Sequence, residues 1–342
     1  MFKPKYTITP RLLESIKKIT ELKVDLQNRH ISHAVRENLE RTAREVSTFT
    51  SNSIEGNPLP LTEVRKILKN NPENIRITER EILNYAEALL WLNEQLDTNN
   101  IDFTLKLILS IQKTITAGTL DKFRSGKIRQ EPVVVNDPRI GKPVYYPPNH
   151  QDVSKLIADL IAWANQNRKK LDPVIVAGIF HKQFVVIHPF SDGNGRTARL
   201  LSKVLLADLG INAFHVFSFE HYYNTKVTEY FRRVGVLGDC YDISKALDFS
   251  DWLEFFADGI IDELMRVRKI LEKVIITPET KLNTVDLVII DYIKQHGFIS
   301  DKDYAKITPR AKATRTLDFK RLTELKIIVR AGLGKNTYYK LI

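Results

Sequence analysis

Residues 188–199 read HPFSDGNGRTAR: a histidine fixed by the following proline, a carboxylate, two glycines around an asparagine, and two arginines in twelve positions. Upstream runs a long apolar pattern, Val174, Ile175, Ala177, Ile179, Phe180, Phe184, Val185 and Ile187, opened by Asp172 as a cap and Pro173 as a first-turn proline. This pattern predicts a buried helix that delivers His188. The helix ends there because Pro189 disfavours the α conformation of its predecessor and has no amide proton to carry the ladder on. A second helix is predicted from about Arg196 through Leu200, Leu201, Val204, Leu205 and Leu209, with Gly210 as its stop.

Ser191 to Gly195 is therefore a loop that runs into a helix N-terminus. The first amides of such a helix lack internal partners and lie at the positive end of its dipole, and glycines on either side of Asn194 let an anion approach the backbone closely. Arg196 and Arg199 share one face of the first turn, so both reach one polyanion, which explains two cations where the helix dipole disfavours them. Asp192 fits an anion site when a cation lies between, and magnesium binds through one or two carboxylates plus substrate phosphates. No Walker lysine follows the glycines, which excludes an ordinary P-loop, and no serine or cysteine elbow is present. With no nucleophile beside it, His188 reads as a general base for a hydroxyl on an incoming substrate. An isolated His-Pro turn or Gly-Asn-Gly loop would be ordinary structure. Their order between two helices argues for chemistry.

The stretch resembles the signature of Fic-domain proteins, HPFx(D/E)GNGRxxR, and His188, Pro189, Phe190, Asp192, Gly193, Asn194, Gly195, Arg196 and Arg199 meet every position of it. The resemblance implies transfer of AMP from ATP to a side-chain hydroxyl (Ser, Thr or Tyr) of a target protein, with release of pyrophosphate; composition alone does not say which phosphorus is attacked. It also implies roles. His188 deprotonates the hydroxyl, Asp192 holds Mg2+, Gly193, Asn194 and Gly195 line the anion hole, Arg196 contacts phosphates near the reaction centre, and Arg199 grips the γ phosphate. A phosphotransferring branch of the family carries a lysine at the second glycine, and Gly195 argues against that branch.

Residues 51–56 read SNSIEG and resemble the inhibitory motif (S/T)xxxE(G/N) of many Fic proteins, with Ser51, Glu55 and Gly56 in the matching places. If Arg36 to Glu55 is helical, Ser51 and Glu55 lie one turn apart on one face and Gly56 ends the helix. The resemblance implies that Glu55 pairs with Arg199 and occupies the space of the ATP γ phosphate. A carboxylate can replace a phosphate on the same guanidinium through charged hydrogen bonds.

Between the motifs, residues 126–148 hold two extended runs around a proline and glycine turn, which predicts a β-hairpin. In Fic proteins the hairpin at this position is the flap, which aligns a target by strand addition. The flap candidates are Val133, Val134, Val135, Tyr145 and Tyr146. Beyond the second helix, Phe217 to Arg233 carries Tyr222, Tyr223, Tyr230 and Phe231, and Tyr230 is expected to contact the adenine by likeness to the family.

After a helix at 250–274, Thr277 and Pro278 read as a linker. Helices are then expected near 285–295, 300–307 and 310–325, and strands at Ile327 to Arg330 and Thr337 to Leu341, a pattern that resembles a winged helix. From residue 281 onward thirteen Lys and Arg stand against six Asp and Glu, a surplus of seven that holds most of the chain's net +11. Arg310, Lys312, Arg315, Lys320 and Arg321 on the third helix suit either the phosphates of DNA, a protein contact, or a solvated face.

The expected architecture is mainly α: an N-terminal helical region with the inhibitory helix over 1–100, a Fic catalytic core with its flap over 101–276, and a winged-helix domain over 277–342. A single cysteine, Cys240, excludes an internal disulfide framework, the N-terminus lacks an apolar signal core, and no run approaches a membrane span. The expectation is a cytoplasmic protein adenylyltransferase using ATP and Mg2+. Two rivals stand beside it: a hydrolase that removes AMP, with Glu55 positioning water, and a DNA-binding regulator whose core senses nucleotide. Self-modification and a homodimer are left open.

Overall fold

The computed structural model describes residues 2–29, 33–70, 75–98, 101–137, 141–210, 215–274, 284–325, 327–332, 334 and 337–342. Two compact units form, Met1–Val267 and Arg268–Ile342. The expected N-terminal region and most of the expected catalytic core both lie within the first unit. The linker expected at Thr277 and Pro278 lies outside the described residues.

The first unit is helical: α1 (Pro10–Gln27), α2 (His33–Ile54), α3 (Leu61–Asn70), α4 (Ile77–Asp97), α5 (Leu105–Ile115), α6 (His150–Asn167), α7 (Pro173–Ile187), α8 (Asn194–Leu206), α9 (Glu220–Thr225), α10 (Val227–Val234), α11 (Cys240–Ile243) and α12 (Ser250–Val274). Helix α7 is the centre. Its predicted start holds, with Asp172 accepting the Val174 amide at 2.9 Å and Pro173 in the first turn. Apolar residues all round it leave no polar face, the pattern of a helix enclosed by others. Ile179, Phe180 and Phe184 are fully buried. Each such side chain contributes about 1.5–3 kcal/mol on leaving water.

Helix α12 packs close to α7 at Gly178, where a Cβ would run into Leu253 and Phe256, and Trp252 Nε1 donates to the Gly178 carbonyl at 2.7 Å. Helix α8 follows α7 through the motif loop and buries Leu200, Leu201, Val204 and Leu205. It ends in a 3-10 turn, Ala207–Leu209, and Gly210 at φ 66 stops it as expected.

Strands β1 (Val135–Asp137) and β2 (Lys142–Tyr146) form the expected antiparallel hairpin, with Val135 opposite Tyr145. It is shorter than the sequence suggests. Val133 and Val134 precede the paired residues, and a short parallel strand, β3 (Gly238–Asp239), adds to β2 on its other side. That leaves β1 as the free edge on one side of the sheet, which runs β1-β2-β3.

The second unit contains α13 (Thr284–His296), β4 (Ile299–Ser300), α14 (Asp301–Ile307), α15 (Lys312–Glu324), β5 (Ile328–Ala331) and β6 (Tyr338–Leu341). Its sheet runs β4-β6-β5, antiparallel throughout. A core of Ile289, Ile293, Ile299, Tyr304, Phe319, Leu322 and Ile328 joins the three helices to it. Ser300 caps α14 reciprocally with Asp303. Strand β4 is too short to announce itself in the sequence.

Candidate active site

Helix α7 ends at Ile187, and His188 turns left-handed at φ 51 and ψ 59, the one non-glycine with positive φ among the described residues. Its amide still closes the helix on the Phe184 carbonyl at 3.0 Å. Imidazole Nδ1 lies 3.3 Å from the Val185 carbonyl, an acceptor only, which assigns the proton to Nδ1 and leaves Nε2 with its lone pair. The ring is half-buried, and loss of solvent pushes its pKa down to about 4; Arg129 pushes the same way, while the Val185 carbonyl, Glu55 and Asp192 partly offset both.

Three side chains pin the loop that follows. Asn194 accepts the Phe190 amide at 2.9 Å and donates to the Phe190 carbonyl at 2.8 Å. Its amide group therefore shapes the loop, and only its main chain is left for an anion. Gln112 on α5 donates to the Asp192 carbonyl at 3.1 Å. Arg129 donates through Nε to the His188 carbonyl at 2.8 Å and through its amide to the Pro189 carbonyl at 2.9 Å. Gly193 adopts φ 79, and a Cβ there would press on Ile115 and Thr116.

From this loop α8 starts, with both arginines inside. Arg196 is buried between Glu81 at 3.2 Å and Asp192 at 3.1 Å, and its Nε has no hydrogen-bond partner among the described residues. Such an orphan donor at an anion cradle is what a ligand oxygen would satisfy. Arg199 is 0 % exposed. Its Nε donates to Ser51 Oγ at 2.8 Å, one terminal nitrogen donates to the Ser51 carbonyl at 2.8 Å and to Glu55 Oε1 at 2.7 Å, and the other donates to the Tyr230 hydroxyl at 3.3 Å. Helix α2 closes at Ile54, one residue before Glu55, and Gly56 turns the chain at φ 89. The Glu55 carboxylate lies against the bare Cα of Gly195, where any side chain would run into it. A buried base of polar groups supports α2: Lys203 pairs with Glu220 at 3.3 Å, and Ser47 and Tyr85 donate to the same carboxylate at 2.9 Å and 3.1 Å.

Residues 102–206 match the Fic/DOC family. Over these residues the chain is similar to a Fic domain. It is 35% identical over 185 residues to a protein named protein adenylyltransferase Fic from Culex quinquefasciatus, covering 52% of this chain and 35% of that protein. A counterpart from Caenorhabditis briggsae, protein adenylyltransferase fic-1, is 32% identical over 196 residues, covering 54% and 37%. The match thus spans about a third of the length of these curated relatives. Among solved structures, a Fic family protein from Desulfovibrio desulfuricans aligns over 100% of this chain and 98% of its own with a TM-score of 0.67 at 21% identity. Residues 134–508 of Fic-1 from C. elegans align over 77% and 73% with a TM-score of 0.62 at 23% identity. At such identities the likeness speaks for the fold alone.

Around this Fic-like region the expected site residues take different places. His188, Gly193, Asn194, Gly195, Arg196, Arg199, Ser51 and Glu55 converge on one cradle, with Asp192 half-exposed at its lip. The flap residues divide: Tyr145 is buried and donates to the Val186 carbonyl at 2.7 Å, anchoring the hairpin to α7, whereas Val134 and Tyr146 are exposed and Val133 and Val135 half-buried. Tyr230 is 1 % exposed, stacked on Tyr223, and its hydroxyl meets Arg199 and His181 Nε2. As placed, it braces Arg199 from behind and turns no open ring face to a nucleobase. The sequence offers no signal for Arg129, Gln112 or Glu81, because two of them bind main-chain carbonyls and the third reaches Arg196 from 115 residues away.

Proposed function

We propose that the protein transfers AMP from ATP to a hydroxyl side chain of a target protein, restrained by its own Glu55. One arrangement carries this reading: a neutral imidazole beside a glycine loop and helix N-terminus whose innermost arginine is held by a displaceable carboxylate. Among the described residues of that cradle the one hydroxyl, on Ser51, is fully buried and accepts from Arg199, so the incoming hydroxyl does the attacking. Its oxygen bonds to the α phosphorus, the bond to the bridging oxygen of the β phosphate breaks, pyrophosphate leaves, and His188 Nε2 takes the proton. The amides from Gly193 to Gly195, with Arg196 and Arg199, absorb the charge that builds in the displacement.

Asp192 suits Mg2+. Its carboxylate is half-exposed, with one oxygen on the Gly193 amide and the other on Arg196, so lone pairs remain on both, and a single carboxylate is enough when phosphates supply other ligands. The ion would neutralise phosphate charge there.

Glu55 competes with the γ phosphate for Arg199. It is 32 % exposed while its partner is 0 % exposed, so the carboxylate has room to leave and the guanidinium stays. The flap offers the free edge of β1 for an extended target segment, with Val134 and Tyr146 as exposed contacts. We also read 284–342 as a winged helix, which its sheet order β4-β6-β5 supports. Incubation with ATP labelled at the α or the γ phosphate tests the activity: label from α alone on protein supports AMP transfer, and label from γ alone overturns it.

A further inference from the structure

We infer that Arg129 is a positioning residue for His188, tying the base of the flap to the turn that carries the imidazole. This rests on the proposed role of His188 as the base. A non-glycine in the left-handed region costs about 1–2 kcal/mol, so His188 must be held at φ 51 by its surroundings. Arg129 does the holding. Its side chain and amide take the carbonyls of two consecutive residues, His188 and Pro189, across the turn. Its remaining guanidinium nitrogens donate to the Glu131 carbonyl at 3.1 Å, where the chain enters the flap, and to the Pro148 carbonyl at 2.5 Å, where it leaves. One rigid fork thus spans both legs of the hairpin and the histidine.

The choice of residue is informative. Arg129 is 4 % exposed, and no carboxylate among the described residues pairs with it; every acceptor above is a neutral carbonyl. A buried cation without a counter-ion is unfavourable, and a fold that needed only a hairpin anchor already has one in Tyr145. What arginine adds is a planar set of donors at fixed angles, together with a positive charge that disfavours protonation of the ring. Glu55 and Asp192 act on the ring in the opposite sense.

The test uses the full-length chain carrying Glu55→Gly, with self-labelling from α-labelled ATP and magnesium as readout. Arg129→Gln is expected to lower kcat by about a hundredfold, the order of loss for a misplacement near 1 Å, with KM for ATP changed no more than about twofold. Arg129→Lys keeps the charge and reaches one carbonyl, so it should recover part of the rate. A folded Arg129→Lys or Arg129→Gln protein with kcat within about threefold of the parent overturns the inference. A second readout does not need activity. By NMR, the His188 ring in Arg129→Gln should titrate at a higher pH than in the parent, and an unchanged midpoint overturns the inference. If the parent itself transfers no label, the AMP-transfer reading falls while this titration still decides the place of Arg129.

Discussion

Arg199 and the arginines of the second unit meet different fates. On α8, Arg199 is enclosed by neutral groups, Ser51 and Tyr230, and by one half-exposed carboxylate just past the end of α2, 144 residues away. On and beside α15, Arg310 clasps Asp318 at 2.9 Å, Arg315 clasps Asp301 at 2.8 Å, and Arg321 pairs with Asp286. Asp318 and Asp286 are buried, so Arg310 and Arg321 neutralise acids that the fold has enclosed, while Asp301 beside Arg315 is 41 % exposed. Counting basic residues suggests the second unit as the anion binder. Partners change that reading, because Arg310 and Arg321 spend their charge on buried acids, although Arg321 Nε keeps no hydrogen-bond partner among the described residues. The outward face of α15 is mostly Lys312, Ala313, Thr316, Leu317 and Lys320, with Leu317 64 % exposed.

The largest effect is expected from His188→Ala, which should lower AMP transfer by about 10² to 10⁴-fold while calorimetry still finds ATP binding. Glu55→Gly should raise self-labelling on the order of tenfold or more, since a charged hydrogen bond worth about 1.5–3 kcal/mol no longer competes for Arg199; unchanged labelling would separate Glu55 from any restraint. Arg310→Ala should destabilise the second unit by about 1–3 kcal/mol in denaturant melts, whereas Lys312→Ala should leave it unchanged. Equal effects would erase the contrast. A mobility shift of DNA that weakens with salt and is lost in Lys312→Ala and Lys320→Ala would restore a nucleic-acid role to α15. Tyr230→Phe should weaken ATP binding by only a few-fold, because Arg199 keeps both bonds to Ser51.

Acid sharpens the picture further. The His188 pKa is depressed in the folded chain, so the unfolded chain takes up a proton first as pH falls below about 6.5. The stability linked to this residue is present above that pH and is lost progressively toward pH 4. Activity, in contrast, should hold until the folded ring protonates. A rate profile for Glu55→Gly should therefore place its acid limb at or below pH 4, since Glu55 raises the ring's pKa, and a limb near 6.5 would mean a solvated imidazole.

The motif loop and its flanking helices are legible because their determinants are local. Asp172 and Pro173 start one helix, Pro189 stops it, and glycines open the next. The Ser51 and Glu55 pairing is legible only through resemblance, since spacing fixes a shared helix face and not what that face meets. Tyr230 is legible as an aromatic near the site; which side of Arg199 it occupies depends on Tyr223 and Trp252, packed from other helices. Arg129 is silent in sequence for a further reason. Its acceptors are carbonyls, which every residue presents, so no pattern of side chains marks them. The arginines of α15 mislead because their acidic partners are scattered over 286–318 and meet only in the folded unit.

The unadorned Cα at position 195 links two selective pressures. A substitution there would push the Glu55 carboxylate off its seat and, in the same stroke, crowd the amides proposed to hold the nucleotide. Under the proposed restraint by Glu55, its loss through that position is therefore self-defeating. Variants that escape control while keeping full turnover should arise along α2, on the far side of the contact, and a selection for hyperactive clones ought to accumulate changes there and spare the glycine.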